Sequence, residues 1–96
     1  MLAELLQVQR RRPYPDGAHG AVANVHLDLL DADVAGLVSQ LVQHGALTDV
    51  QWSILEGCLA DADRVLPELN GEVRAYFDQV RTLAAAACRT RHDPDV

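Results

Sequence analysis

The stretch that decides the fold is Thr48–Leu69, Thr-Asp-Val-Gln-Trp-Ser-Ile-Leu-Glu-Gly-Cys-Leu-Ala-Asp-Ala-Asp-Arg-Val-Leu-Pro-Glu-Leu. It opens on Thr48-Asp49-Val50-Gln51, a capping box in which Thr and Gln satisfy each other's backbone N–H and so start a helix. Leu55, Leu59, Ala62, Leu66 and Leu69 then recur at alternating spacings of four and three, the period of one helix face. Pro67 has no N–H to donate and ends or kinks that helix.

Working outward, Asn70 or Gly71 starts a last helix whose apolar face is Val73, Tyr76, Phe77, Val80, Leu83, Ala84, Ala87 and Cys88. A short connection near residue 69 makes these two helices antiparallel neighbours. Leu55 then lies opposite Leu83, Leu59 opposite Val80, Ala62 opposite Tyr76 and Leu66 opposite Val73. Trp52 falls opposite Ala86, so Ala84–Ala87 reads as a notch for the indole, large against small.

Upstream, Asp28 or Asp31 can cap a helix carrying Leu30, Val34, Leu37, Val38, Leu41 and Val42, with His44-Gly45 as its end. The apolar arc of the capping-box helix is wide, because Ile54, Cys58 and Val65 extend one side of its seam, and helix 30–44 is expected to cover the remainder. Residues 21–30 alternate, Ala21, Ala23, Val25, Leu27 and Leu29 against Asn24, His26 and Asp28. Ala, Asn and Asp are poor strand formers, so an extended or irregular arm is expected. A lone strand there would need a partner, which a second copy of the chain, in a homodimer, would supply. Met1–Arg11 reads as a short helix with Leu2, Leu5 and Leu6 on one side. Its basic end, Arg10–Arg12, suits the negative pole of a helix. Pro13, Pro15, Asp16 and Gly17 make the next stretch a loop. The expectation is an all-α fold. It is a small helical bundle of three main helices with an antiparallel C-terminal hairpin, plus a short N-terminal helix and an extended or irregular arm. It forms one domain, 1–96, divided into helix and arm (1–30), helical core (31–91) and tail (92–96).

The 96 residues hold eight Arg, no Lys and 14 acids, a net charge of −6, and 49% are apolar. A chain so apolar is not disordered throughout. No apolar run approaches the ~20 residues a membrane helix needs, and no basic segment precedes an apolar one as in a signal peptide. A cytoplasmic location is expected. Without lysine there is neither a Walker-type phosphate loop nor a Schiff-base lysine. Ile occurs once against fourteen Ala and fourteen Leu, which points to GC-rich, bacterial coding. Residues 21–70 hold one Arg and eight acids, so the acidic character belongs to the middle of the chain.

Few residues suggest chemistry. In the hairpin register Cys58 and Cys88 stand roughly 12 Å apart along the axis, too far to bridge, and they read as two buried thiols. His19, His26, His44 and His92 show no metal-ligand spacing. Neither Ser39 nor Ser53 sits in a nucleophile elbow. No catalytic residue, metal or cofactor is expected.

Residues 37–55, from Leu-Val-Ser-Gln-Leu-Val-Gln-His-Gly through Ala-Leu-Thr-Asp-Val-Gln-Trp-Ser-Ile-Leu, resemble the helix–turn–helix step of winged-helix regulators over about a fifth of the chain. The resemblance implies a second helix that reads bases and presents Arg, Lys, Asn or Gln outward. That helix instead carries Asp49, Glu56, Asp61 and Asp63, and acids repel phosphate. The electrostatics therefore argue against nucleic acid.

Asp49, Glu56 and Asp63 recur every seven residues and form an acidic stripe beside Trp52. Two readings follow. The stripe docks a basic protein partner, which makes Asp49, Trp52, Glu56 and Asp63 the candidate partner-binding residues. Alternatively it pairs internally, Glu56 with Arg81 and Asp63 with Arg74, while Asp49 has only Arg89 within reach. The function expected is that of a small, acidic, non-enzymatic protein-interaction or regulatory protein, immunity- or antitoxin-like or an accessory subunit. The rival readings are a small-molecule or metal sensor using His26, His44 or the cysteines, and then a DNA-binding regulator.

Overall fold

The computed structural model describes residues 1–92, so residues 93–96 of the expected tail lie outside the described residues. Four α-helices are present among the described residues: α1 (Leu2–Arg11), α2 (Leu27–His44), α3 (Asp49–Val65) and α4 (Gly71–His92). With them is one antiparallel hairpin of two-residue strands, β1 (Ala21–Val22) and β2 (Val25–His26). The protein is an all-α helical bundle with a minimal sheet.

The expected punctuation holds around α3. Thr48 Oγ1 accepts from the Gln51 N–H at 3.1 Å, and Gln51 Oε1 accepts from the Thr48 N–H at 2.9 Å, closing the capping box. Gly45 ends α2 at φ 74°, where a side chain would be strained, and its N–H donates to the Leu41 carbonyl at 2.8 Å. Pro67 converts the end of α3 into a single 3₁₀ turn, Leu66–Glu68, before Gly71 opens α4.

The 21–30 region differs from its expectation in two ways. The extended segment finds its strand partner within the chain, Ala21 opposite His26 and Val22 opposite Val25. The alternation read through Ala23 and Asn24 is broken there. Both residues have positive φ, 50° and 65°, as a two-residue hairpin turn requires. The helix then begins at Leu27, so residues 27–30 are helical rather than extended, and neither Asp28 nor Asp31 is the cap. The N-cap is His26, without a side-chain bond. The Leu27 N–H instead donates to the Gly20 carbonyl at 3.2 Å. The hairpin thus satisfies one of the first-turn N–H groups that have no partner within the helix.

The core gathers Val34 and Val38 of α2, Leu55, Ala62 and Val65 of α3, and Phe77, Val80, Leu83, Ala84 and Ala87 of α4. Trp52 belongs to the same cluster. Two expected core residues do not: Ile54 is 47% exposed and Val42 39%. Among the helices, α3 packs mainly on α4 and α2, and α1 packs on the same two. No helix remains to cover the outward side of α3, and Ile54 stays in water.

α1 is fixed by side chains rather than by backbone pairing. Leu6 is buried. Gln9 Nε2 donates to Asp31, Arg10 to Ser39 and Arg12 to Gln79. The loop after it carries Tyr14, whose ring meets Tyr76 and Phe77 edge-on at 5.4 and 6.2 Å.

One expected outcome follows from the hairpin turn. Ala pays a steric cost at Ala23 that Gly does not. Ala23→Gly should raise unfolding stability by about 0.5–1 kcal/mol. A urea midpoint that moves up with an unchanged slope checks this. A lowered midpoint would show that the turn relaxes in solution.

Candidate functional site

The sequence-read stripe lies along the α3–α4 edge, and α4 supplies cations to all three of its acids. Arg81 Nε bonds Asp63. Arg91 reaches Glu56 at 2.9 Å and Asp49 at 3.6 Å. The Arg91 guanidinium also sits 5.5 Å above the centre of the Trp52 ring, within cation–π range. Trp52 is 9% exposed. The bond to Asp63 holds the Arg81 guanidinium above its ordinary pKa.

The pairing within the chain uses different arginines from those expected. Arg81 bonds Asp63 rather than Glu56, and Arg91 takes the place given to Arg89. Among the described residues, Arg74 and Arg89 join no ion pair. Helical side chains lean toward their own N terminus. On antiparallel helices the two therefore lean toward each other, and a carboxylate meets an arginine lying farther along α4 than its equal-height neighbour. Asp49 is the loosest member, its side chain fully exposed, and exposed pairs contribute little.

A different acidic surface lies on α2, which has no cation of its own. α2 contains Asp28, Asp31 and Asp33 and no Arg or Lys. Asp31 is engaged inside the molecule, accepting from Tyr76 Oη at 2.8 Å and from Gln9 Nε2 at 3.4 Å. Burial, with that bond to Asp31, pushes the Tyr76 hydroxyl up to about 12. The other amide atom of Gln9, Oε1, is buried with no partner among the described residues. Asp28 and Asp33 join no ion pair among the described residues.

Asp33 lines a cavity of about 180 Å³ between the hairpin, α2 and α3, with His26, Leu29, Cys58 and Asp61 around it. Asp61 also bonds Arg64 one turn away at 2.9 Å. Burial, then the charges of Asp33 and Asp61, push the Cys58 thiol up to about 11. Burial and Glu56 raise Cys88, with Arg91 opposing them. Both cysteines are free. Thiols held protonated in this way are poor nucleophiles and poor metal ligands at neutral pH. The cavity brings His26 and Cys58 together, but His44 stands at the far end of the 18-residue α2, about 27 Å away. Among the described residues, no group of three His, Cys, Asp or Glu is arranged to hold a metal.

A larger cavity, about 380 Å³, opens between the Pro13–Asp16 loop and the start of α4. Its two tyrosine hydroxyls are turned inward, Tyr14 on the Ala18 carbonyl and Tyr76 on Asp31. Its rim mixes Arg12 with Asp16 and Glu72, so no single charge type is favoured there.

Sequence reasoning missed the outer seam of α2 and α3. On α2, Leu29, Asp33, Gly36 and Gln40 follow spacings of four, three and four. On α3, Val50, Ile54, Gly57 and Asp61 do the same. Each set makes one helix stripe. Gln40 and Gln51 exchange amide bonds across the seam at 3.2 and 3.1 Å. Leu29, Val50 and Ile54 are 57%, 69% and 47% exposed. The spacing was visible in the sequence. What hid its meaning was the assignment of Ile54 to the core. Compared with known protein families, with curated proteins and with solved structures, the chain matches none.

Two outcomes are expected from this geometry. Cys58 is held protonated, so the unfolded chain ionises first, near pH 9, and the folded chain only near pH 11. Stability from this group is complete below pH 9 and is lost as pH rises through 11. Urea unfolding of Cys58→Ala in reductant should lose stability less steeply over that window than the native chain. Equal slopes would contradict the burial of the thiol. Reversing Asp49, Glu56 and Asp63 to Arg sets three cations against Arg81 and Arg91, and the melting temperature should fall by a few degrees. A melt unchanged by the triple reversal would show that the edge pairs contribute nothing.

Proposed function

We propose that this is a small, acidic, non-enzymatic protein that acts by binding another protein, as a regulator, an immunity- or antitoxin-like inhibitor or an accessory subunit. The binding surface is the outer seam of α2 and α3. The observation that carries this reading is the exposure of Leu29, Val50 and Ile54 on the outer side of α2 and α3, which no other part of the described residues covers. Apolar side chains scattered singly over a surface are ordinary, but a row of them rimmed by polar groups marks an interaction site. Here the rim is Asp33, Gln40 and Asp61. The seam takes over the role first given to Asp49, Trp52, Glu56 and Asp63, because those acids have arginines on α4 and the carboxylates of α2 have none.

Acidic rims act mainly on the rate of encounter with a basic partner, and salt screens them over about 8–10 Å. The apolar residues between them hold the complex once formed. Nucleic acid fits neither term, since unpaired aspartates face outward. No helix among the described residues is long and apolar enough to cross a membrane.

The experiment is a comparison of variants. The immobilised native chain, a Leu29→Ser/Ile54→Ser variant and a Glu56→Gln variant are each exposed to extract of the native host. Both serine positions are exposed, so folding should be unaffected. The proposal expects a specific protein retained by the native chain and by Glu56→Gln and lost from the double serine variant. Identical capture by all three would end it.

A further inference from the structure

Two glycines lie in the middle of the α2–α3 seam, Gly36 between Asp33 and Gln40, and Gly57 between Ile54 and Asp61. Each sits inside a helix, and neither has the positive φ that would require glycine. Nor does packing within the chain require it, because a Cβ at either position would meet no atom within 4 Å. Helix-interior glycine is costly relative to alanine, and no contact among the described residues returns that cost. Glycine does allow another backbone to come close. The two glycines leave open space over the middle of the seam, with the exposed Val50 and Ile54 toward the α2–α3 loop and the exposed Leu29 toward the hairpin; we call this space the groove. Beside Leu29, the cavity of about 180 Å³ presents Asp33 and Asp61. No Lys or Arg lines it, and Arg64 bonds Asp61 at 2.9 Å.

We propose that this groove seats a basic amphipathic helix of another protein. The helix crosses closely over Gly36 and Gly57, rests apolar side chains on Leu29 and Ile54, and places an Arg or Lys head at Asp33 and Asp61. The proposal rests on the binding role assigned above and names the chemistry of the partner. Helix-in-groove recognition uses apolar anchors about one turn apart, which the stripes supply from this side. Charge complementarity selects the occupant. α2 has three aspartates and no Lys or Arg, and the chain's net charge of −6 repels a second copy of itself.

The test uses a synthetic 18-residue amphipathic helix with leucines on one face and flanking arginines. A control peptide carries glutamate at every arginine. Backbone amide shifts of the labelled full-length chain follow binding. The arginine peptide should move residues 29–40 and 50–61 and bind at least about tenfold more tightly than the glutamate peptide, with affinity falling as salt rises. Gly57→Leu fills open space in a helix, so it should keep or raise the melting temperature and weaken the peptide about tenfold. Asp33→Asn with Asp61→Asn should weaken it similarly and flatten its salt dependence. Shifts confined to α1 or to the α3–α4 edge, or Gly57→Leu binding as the native chain does, would overturn the groove. Concentration-dependent dimerisation abolished by Gly57→Leu would make a second copy the occupant and would also overturn it. A captured partner lost from Leu29→Ser/Ile54→Ser but kept by Gly57→Leu and by the paired Asn variant would leave the binding role standing and refute the basic helix alone.

Discussion

The rest of the structure depends on one packed stripe of α4. Tyr76, Phe77, Val80, Leu83, Ala84, Ala87 and Cys88 are all at least 94% buried, and α1, α2 and α3 each lie against this helix. Full burial of one large apolar side chain contributes roughly 1.5–3 kcal/mol, so a few such residues match the net stability of a small domain. The stripe is graded along its length. Its first half carries Tyr76, Phe77, Val80 and Leu83, and there the N-terminal loop adds Tyr14 to the ring cluster. Its second half is alanine, and there α3 brings up its only indole. Arg91, one turn farther on, covers the Trp52 ring from outside.

The same arrangement decides where the charge goes. α4 carries the arginines that face α3, so acids on the α3–α4 edge are neutralised as the helices come together. α2 meets α4 through its apolar face and through Asp31, whose carboxylate takes the Tyr76 hydroxyl and the Gln9 amide. Its other aspartates, Asp28 and Asp33, join no ion pair among the described residues. A chain with one acidic middle in sequence thus becomes a molecule with one acidic edge paired to arginines of α4 and a second acidic surface on α2 whose Asp28 and Asp33 are not so paired. Counting charges along the sequence cannot separate the two, because the difference lies in which neighbour each helix acquires.

Much of the fold was legible because local signals agree with it. The Thr48–Gln51 box, Gly45 and Pro67 place helix ends through backbone chemistry that acts within a few residues, and the apolar period of α4 is unambiguous. Reading failed where a residue's role is set from farther away. Ala23 is a poor turn former, and only closure of the hairpin forces it to positive φ, so the alternation on either side looked continuous. Ile54 has the spacing of a core residue, yet α3 has neighbours on two sides and not a third. The candidate site was legible as a stripe of acids and a tryptophan. Its arginine partners were not, because the lean of side chains on antiparallel helices shifts the match by more than a turn. The seam with Leu29 and Asp33 escaped notice because its two halves belong to different helices.

The way α1 is attached has a kinetic consequence. α2, α3 and α4 are joined by short connections, so their mutual contacts close small loops and can form early. The ties of α1 reach across 22 residues to Asp31, 29 to Ser39 and, from the residue that ends it, 67 to Gln79. They are side-chain bonds, and they can be made only after α2 and α4 are in place. Long loops must close before these ties form, so the N-terminal helix is expected to assemble last and to open at low cost once assembled. Its departure would uncover the Gln9–Asp31–Tyr76 cluster to water while leaving the three-helix core standing.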